Sequence, residues 1–293
     1  MDELKEVIVS AALIDDIYKR GSVTTPPHVS CSGWFLILKS DCGKSALAAY
    51  QGDTLTLVSG KALKVQNIAP KDAGQTCMLW ALDEYDLVVG VGGAGTGKTT
   101  VAIAWAVNQM MKHNKRVILC KPTHLVGGKS NAIAAIPGTH REKMEGYIDS
   151  YLGAFRKVMG DNYSEYLRTL EEAGKVLFQP LELLRGLDFE NAVVIIDEAQ
   201  NTTPHDLMTA ISRVGQASTC IVLGDPRQVD IDLHPSETGL AVLLNSEAMR
   251  YTEIACAVRL NGQYRGPLAT LAAEVLEEFY AEMDEEEECG GGL

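Results

Sequence analysis

The residues best suited to chemistry stand in GGAGTGKTT, where Gly92, Gly97, Lys98 and Thr99 fill the pattern G-x-x-x-x-G-K-[ST]. Glycines let the backbone curl with its N–H groups pointing inward, and a helix start behind them adds the positive end of a dipole. The run Gly92, Gly93, Ala94, Gly95, Thr96, Gly97, Lys98, Thr99 and Thr100 is therefore expected to cradle a triphosphate. Lys98 brings a point charge to the β- and γ-phosphates, and the Thr99 hydroxyl can join a magnesium shell. The competing reading, a glycine-rich turn without a ligand, is weakened by the apolar strand before the run and the helical TTVAIAWAVNQMM after it.

Phosphate binding alone does not give hydrolysis, which also needs a metal-holding acid and a group that activates water. AVVIIDEAQN supplies both at the end of an apolar run: Asp197 where a carboxylate would reach magnesium, and Glu198 beside it as base. Two adjacent carboxylates are costly unless a cation neutralises them. A helix start capped by Asp197 is the bland alternative. A further strand, TCIVLG, ends in Asp225-Pro226-Arg227-Gln228, from which Gln228 could address the γ-phosphate or the attacking water.

These motifs need elements that bring them to one edge. Short apolar runs alternate with helical periods from Gln75 to about Met283, which predicts a parallel sheet with helices on both faces. The strands read as 86–91, 116–121, 175–179, 192–197, 219–224 and 252–258. Residues 1–70 carry β-like runs instead (GWFLILKS, ALAAY, DTLTLV, KALKVQ), and 284–293 form an acidic, glycine-ended tail with no apolar face, expected to be disordered. The domains are therefore set at 1–70 and 71–283, followed by the tail.

Composition limits the partners. The 293 residues are 46% hydrophobic and 22% charged, no apolar run approaches the length of a membrane span, and MDELKEV lacks a secretory signal, so a cytoplasmic protein without a membrane partner is expected. Seven cysteines form no C-x-x-C pair, against a zinc site or a disulfide framework. The net charge of −13 is concentrated in nine acids within 274–288. Between Lys112 and Lys157 the sign reverses, nine Lys and Arg standing against three acids. Alone, that stretch is as consistent with a solvated face as with a phosphate-tracking one.

Taken together, GGAGTGKT, KPTH, AIPG, LLRGLDF, IIDEAQN, GDPRQ and AVRL resemble the PhoH family of P-loop ATPases, relatives of superfamily-one helicase motors, over about Gln75 to Tyr280. The resemblance implies a RecA-like α/β P-loop NTPase domain with a mostly parallel sheet flanked by helices, plus a small N-terminal β element similar to the linker that follows a PIN nuclease domain in longer relatives. It implies ATP with Mg2+, Gln75 as the adenine-recognising glutamine, and a homo-oligomeric, hexameric ring. RNA or single-stranded nucleic acid is the implied partner, with Lys121, Lys129, Arg141, Lys143 and Arg185 as candidate contacts. Arg259, after the last strand, resembles the family's arginine there and is assigned to act in trans on a neighbour's ATP, with Arg265 as second candidate. The roughly 30 residues before the linker are too few for a nuclease domain, so no nuclease activity is expected. Departures from the family pattern occur at Lys129, where an acid is typical, and at Leu187 and Asp188 in the R-G-x-x-F segment. A nucleotide-gated scaffold and a small-molecule kinase stay open as alternatives.

Overall fold

The computed structural model describes residues 4–59, 63, 68–122, 140–272 and 274–276, with the backbone alone for 140–147. KALKVQ (except Leu63), Lys129, the AIPG segment and the acidic tail lie outside the described residues, as do the side chains of Arg141 and Lys143.

The N-terminal part is a five-stranded sheet: β1 (Lys5–Ile8), β2 (Ser22–Thr24), β3 (Phe35–Lys39), β4 (Ser45–Gln51) and β5 (Thr54–Leu57), in the order β1-β3-β4-β5-β2. Helix α1 (Ala11–Arg20) packs on it, entered through Ser10, whose hydroxyl accepts the Leu13 N–H, and left through Gly21 at φ 79°. The β-like reading of 1–70 thus gives three of these strands and passes over β1, α1 and β2. Both missed strands are short and present no buried residue.

Beyond α2 (Ala73–Glu84) the chain builds six strands: β6 (Leu87–Val91), β7 (Arg116–Lys121), β8 (Val176–Pro180), β9 (Ala192–Ile196), β10 (Thr219–Gly224) and β11 (Ala255–Arg259). All run parallel in the order β11-β6-β10-β9-β7-β8. The six runs read as strands are those six strands, with ends displaced by a residue or so except at β11, which starts three residues late. Their near-continuous Val, Ile and Leu are what a sheet covered on both faces requires, and β9 and β10 are buried throughout. Helices α3 (Lys98–His113), α4 (His140–Met159), α5 (Tyr163–Glu172), α6 (Pro204–Ile211), α7 (Gly239–Asn245) and α8 (Glu247–Tyr251) make the connections. Among the described residues no helix is long and apolar enough to cross a membrane.

This strand order puts β6 between β10 and β11, with β9 next, so the chain leaves four neighbouring strands at one carboxyl edge. The two sheets also share a core: Phe35, Ala49 and Val58 are buried with Met78, Leu82 and Val258, and the Phe35 ring meets Trp80 edge-on at 5.9 Å. Phe35→Ala should therefore cost about 3 kcal/mol and lower the midpoint of one shared unfolding transition. Thermal melts followed by calorimetry check this; a β6–β11 unit melting at the wild-type temperature would show the sheets to be energetically separate.

Candidate active site

At the end of β6 the chain turns through Gly92, Gly95 and Gly97, all at positive φ, into α3. Gly97 occupies the cap position without a side-chain hydrogen bond, so no side chain of the cap competes for the first N–H groups of α3. The rest of α3 is anchored by Val101 to Val107, all buried. Thr96 closes the loop by donating to the Gly93 carbonyl at 3.0 Å. Lys98 folds back onto the loop, its Nζ donating to the Gly92 carbonyl and, at 2.9 Å, to that of Gly93. Burial pulls the Lys98 ammonium below the usual lysine range, against the opposing pull of Asp197, Asp225 and Glu198.

Gln75 lies beneath the loop on α2, 4% exposed. Its Nε2 donates to the Thr96 carbonyl at 3.1 Å and its Oε1 accepts the Lys71 N–H at 3.0 Å. Each end of that amide has one further hydrogen-bonding position.

Asp197 follows β9 directly, its N–H donating to the Cys120 carbonyl on β7. Its Oδ2 accepts the Thr99 hydroxyl at 2.9 Å, joining the two residues expected to share a magnesium ion. Burial, then the Glu198 charge, push the Asp197 carboxyl up to about 6, only partly offset by the Thr99 hydrogen bond and Lys98. Glu198 is exposed and sits at φ 55°, ψ 37°, a left-handed conformation that L side chains rarely adopt. A short 3-10 turn, Ala199–Asn201, follows instead of a longer helix capped by Asp197.

A residue the sequence reading missed connects these acids to the next strand. Gln200, 1% exposed, donates from Nε2 to the Glu198 carboxylate at 2.7 Å and accepts the Asp225 N–H on Oε1 at 3.0 Å. Asp225 in turn accepts Gln228 Nε2 at 2.7 Å. Glu198, Gln200, Asp225 and Gln228 therefore form one hydrogen-bonded row across the ends of β9 and β10. Its signal in the sequence was a lone amide two residues past Glu198, in a segment otherwise read only for its acids.

The remaining candidates fall in different places. Lys121, at the end of β7, donates to Ser150 Oγ on α4 at 2.9 Å and lies 5.7 Å from the centre of the Tyr151 ring. Burial lowers its ammonium while Asp197 and Glu198 pull it back, so Lys121 belongs to the surroundings of the paired acids. Arg185 is ion-paired with Asp206 at 2.9 Å on the surface. Arg259 ends β11 and lines a cavity of about 460 Å³ against Lys5, Trp34 and Phe35 of the N-terminal sheet.

The residues present fit a magnesium-bound triphosphate: a glycine nest with an uncapped helix start, a lysine that donates to loop carbonyls, and a threonine–aspartate pair. One consequence is measurable without ligand. The Asp197 pKa in the fold lies above the ordinary 3.8, so ionisation is unfavourable to the folded state and stability falls as pH rises through that interval to about 6. Asp197→Asn should therefore stabilise the nucleotide-free protein by on the order of 2 kcal/mol at pH 8, less at pH 5, while losing magnesium-dependent nucleotide binding. Denaturant melts at the two pH values check the sign.

A profile of the family described as PhoH-like protein matches residues 67–274. The chain is 34% identical over 194 residues to a PhoH-like protein of Bacillus subtilis, covering 66% of this chain and 57% of that protein. It is 28% identical over 288 residues to Protein PhoH2 of the same organism, covering 93% and 63% respectively. The chain thus spans less than two thirds of the length of these curated relatives. Among solved structures, the large terminase from the thermophilic bacteriophage D6E in complex with ADP is 13% identical with a TM-score of 0.35, covering 64% of this chain and 44% of that one. Pif1 helicase from Candida albicans is 18% identical with a TM-score of 0.33, covering 66% and 40%. The family profile spans all six strands of the parallel sheet and every site motif they carry, and the chain belongs to the PhoH family.

Proposed function

We propose that this chain is a magnesium-dependent ATPase that acts on, or is stimulated by, RNA or single-stranded nucleic acid, with helicase activity as the strongest form of that reading. Hydrolysis rests on one observation above the others: Glu198 is tied through Gln200 and Asp225 to Gln228, while its neighbour Asp197 holds Thr99 of the phosphate loop. In this reading Lys98 leaves the loop carbonyls for the phosphates, Glu198 accepts a proton from water, and Gln228, oriented by Asp225, positions that water or registers the terminal phosphate. Thr99 and Asp197 would hold magnesium, which supplies charge neutralisation at the β- and γ-phosphates. Gln75, beside the loop, favours adenine by family resemblance.

The nucleic-acid part draws on the net positive stretch from Lys112 to Lys157 and on Lys121, which links the paired acids to α4 within that stretch. A hexameric ring, proposed on family grounds, would align such stretches from several chains into a channel. The second reading is a nucleotide-gated binding protein whose hydrolysis only resets it.

Phosphate release with and without RNA or single-stranded DNA separates the two: stimulation supports action on nucleic acid, and a rate indifferent to both supports gating. Lys98→Ala should lose most triphosphate affinity or turnover while keeping its fold. Glu198→Gln should bind ATP and lower turnover by about 100-fold or more; normal turnover would remove Glu198 as base. For nucleic-acid binding, replacing Lys129, Arg141 and Lys143 together with alanine should weaken affinity irrespective of base sequence and flatten its salt dependence, read from titrations at several salt concentrations.

A further inference from the structure

An arginine contributed by the same chain stands at the phosphate loop. Because β11 pairs with β6 and the Leu260 N–H continues the ladder to the Val91 carbonyl at 2.8 Å, the segment after β11 must leave the sheet beside the loop. It lies directly upon it. Gln263 Nε2 donates to the Ala94 carbonyl at 2.8 Å, and the Tyr264 N–H donates to the Gly95 carbonyl at 3.0 Å. On the far side the Tyr264 hydroxyl donates to the Asp72 carboxylate, and the Lys71 ammonium stands 4.7 Å from the centre of the Tyr264 ring. Residues 260–265 therefore form a strap pinned to the loop on one side and to the start of α2 on the other.

Arg265 is the next residue along that strap. Its aliphatic stem is packed against Gly95 so closely that a Cβ there would stand 3.2 Å from Cγ, while the residue as a whole is exposed. Among the described residues no carboxylate forms an ion pair with it. Its charge reaches Lys98, which it opposes. Two cations held at one loop repel each other unless an anion lies between them, and Lys98 is the group that addresses the β- and γ-phosphates. Arg259, in contrast, lines the cavity against the N-terminal sheet, and the Arg259 backbone carbonyl is pressed against Gly74.

We propose that Arg265 is the phosphate-sensing arginine of this site and acts in cis, contacting the terminal phosphate of the nucleotide bound to its own chain. This rests on the phosphate-site reading above and assigns to the strap a role that would otherwise fall to a neighbouring subunit's Arg259. An arginine that addresses the terminal phosphate makes the site discriminate triphosphate from diphosphate.

The test is equilibrium binding of fluorescently labelled ATP and ADP to the full chain with magnesium, at protein concentrations from well below to well above those at which chains associate. The wild type should prefer the triphosphate. Arg265→Ala should lose on the order of tenfold of that preference at every protein concentration, with an unchanged melting temperature, and Arg265→Lys should recover part of it. An unchanged preference in Arg265→Ala, a loss that appears only where chains associate, or loss in Arg259→Ala in its place would each overturn the inference while leaving the phosphate site standing. Failure of the wild type to bind either nucleotide would instead remove the phosphate-site reading and the inference together.

Discussion

Close packing against glycine at the phosphate loop is the constraint from which the arrangement of this site follows. A Cβ on Gly92 would collide with the Leu260 carbonyl, one on Gly97 would stand 2.8 Å from Gln75 Nε2, and one on Gly224 would stand 2.7 Å from Gln200 Oε1. Glycine therefore does two things here: it permits the left-handed turns of the loop, and it lets the strap after β11, the amide on α2 and the Gln200 row approach to contact. Remove that proximity and Lys98, Arg265, Asp197 and Gln228 no longer face one space.

The second constraint is electrostatic. Asp197 is buried beside Glu198, Lys98 is partly desolvated, the two carboxylates act on Lys121, and the Arg265 charge opposes Lys98. Such a site is less stable empty than an apolar or amide-bearing one of the same shape would be. On the proposed reading, magnesium would bring a cation to the acids and a triphosphate an anion to Lys98 and Arg265. Sites that do chemistry commonly retain this kind of conflict at the expense of stability.

The N-terminal sheet is joined to this machinery through packing. Trp80 stands between Phe35 on β3 and Tyr85 after α2, and Tyr85 accepts a hydrogen bond from Gln51 Nε2 at the end of β4. Helix α2, which carries Gln75, is thus held on one side by the loop and on the other by the N-terminal sheet. A displacement of that sheet would be felt at the phosphate loop through α2.

The local sequence determined much of this protein. The strands of the parallel sheet, the phosphate loop and the paired acids are written in contiguous residues, because continuous apolar runs specify buried strands and the glycine–lysine–threonine pattern encodes its own turn. Helix α1 is also legible, with Ser10 before it and Gly21 after it, although β-like runs follow it. Gln200 carried only a weak signal, since nothing local distinguishes an amide that bridges two strands from one that faces solvent. What tertiary structure alone decided was the meeting of residues far apart in the chain. The order β11-β6-β10-β9 brings Arg265 to Gly95, Asp197 to Thr99 and Gln200 to Asp225, and turns Arg259 toward the N-terminal sheet. Strand order is set by which faces pack together across the whole sheet, and no single segment contains that information.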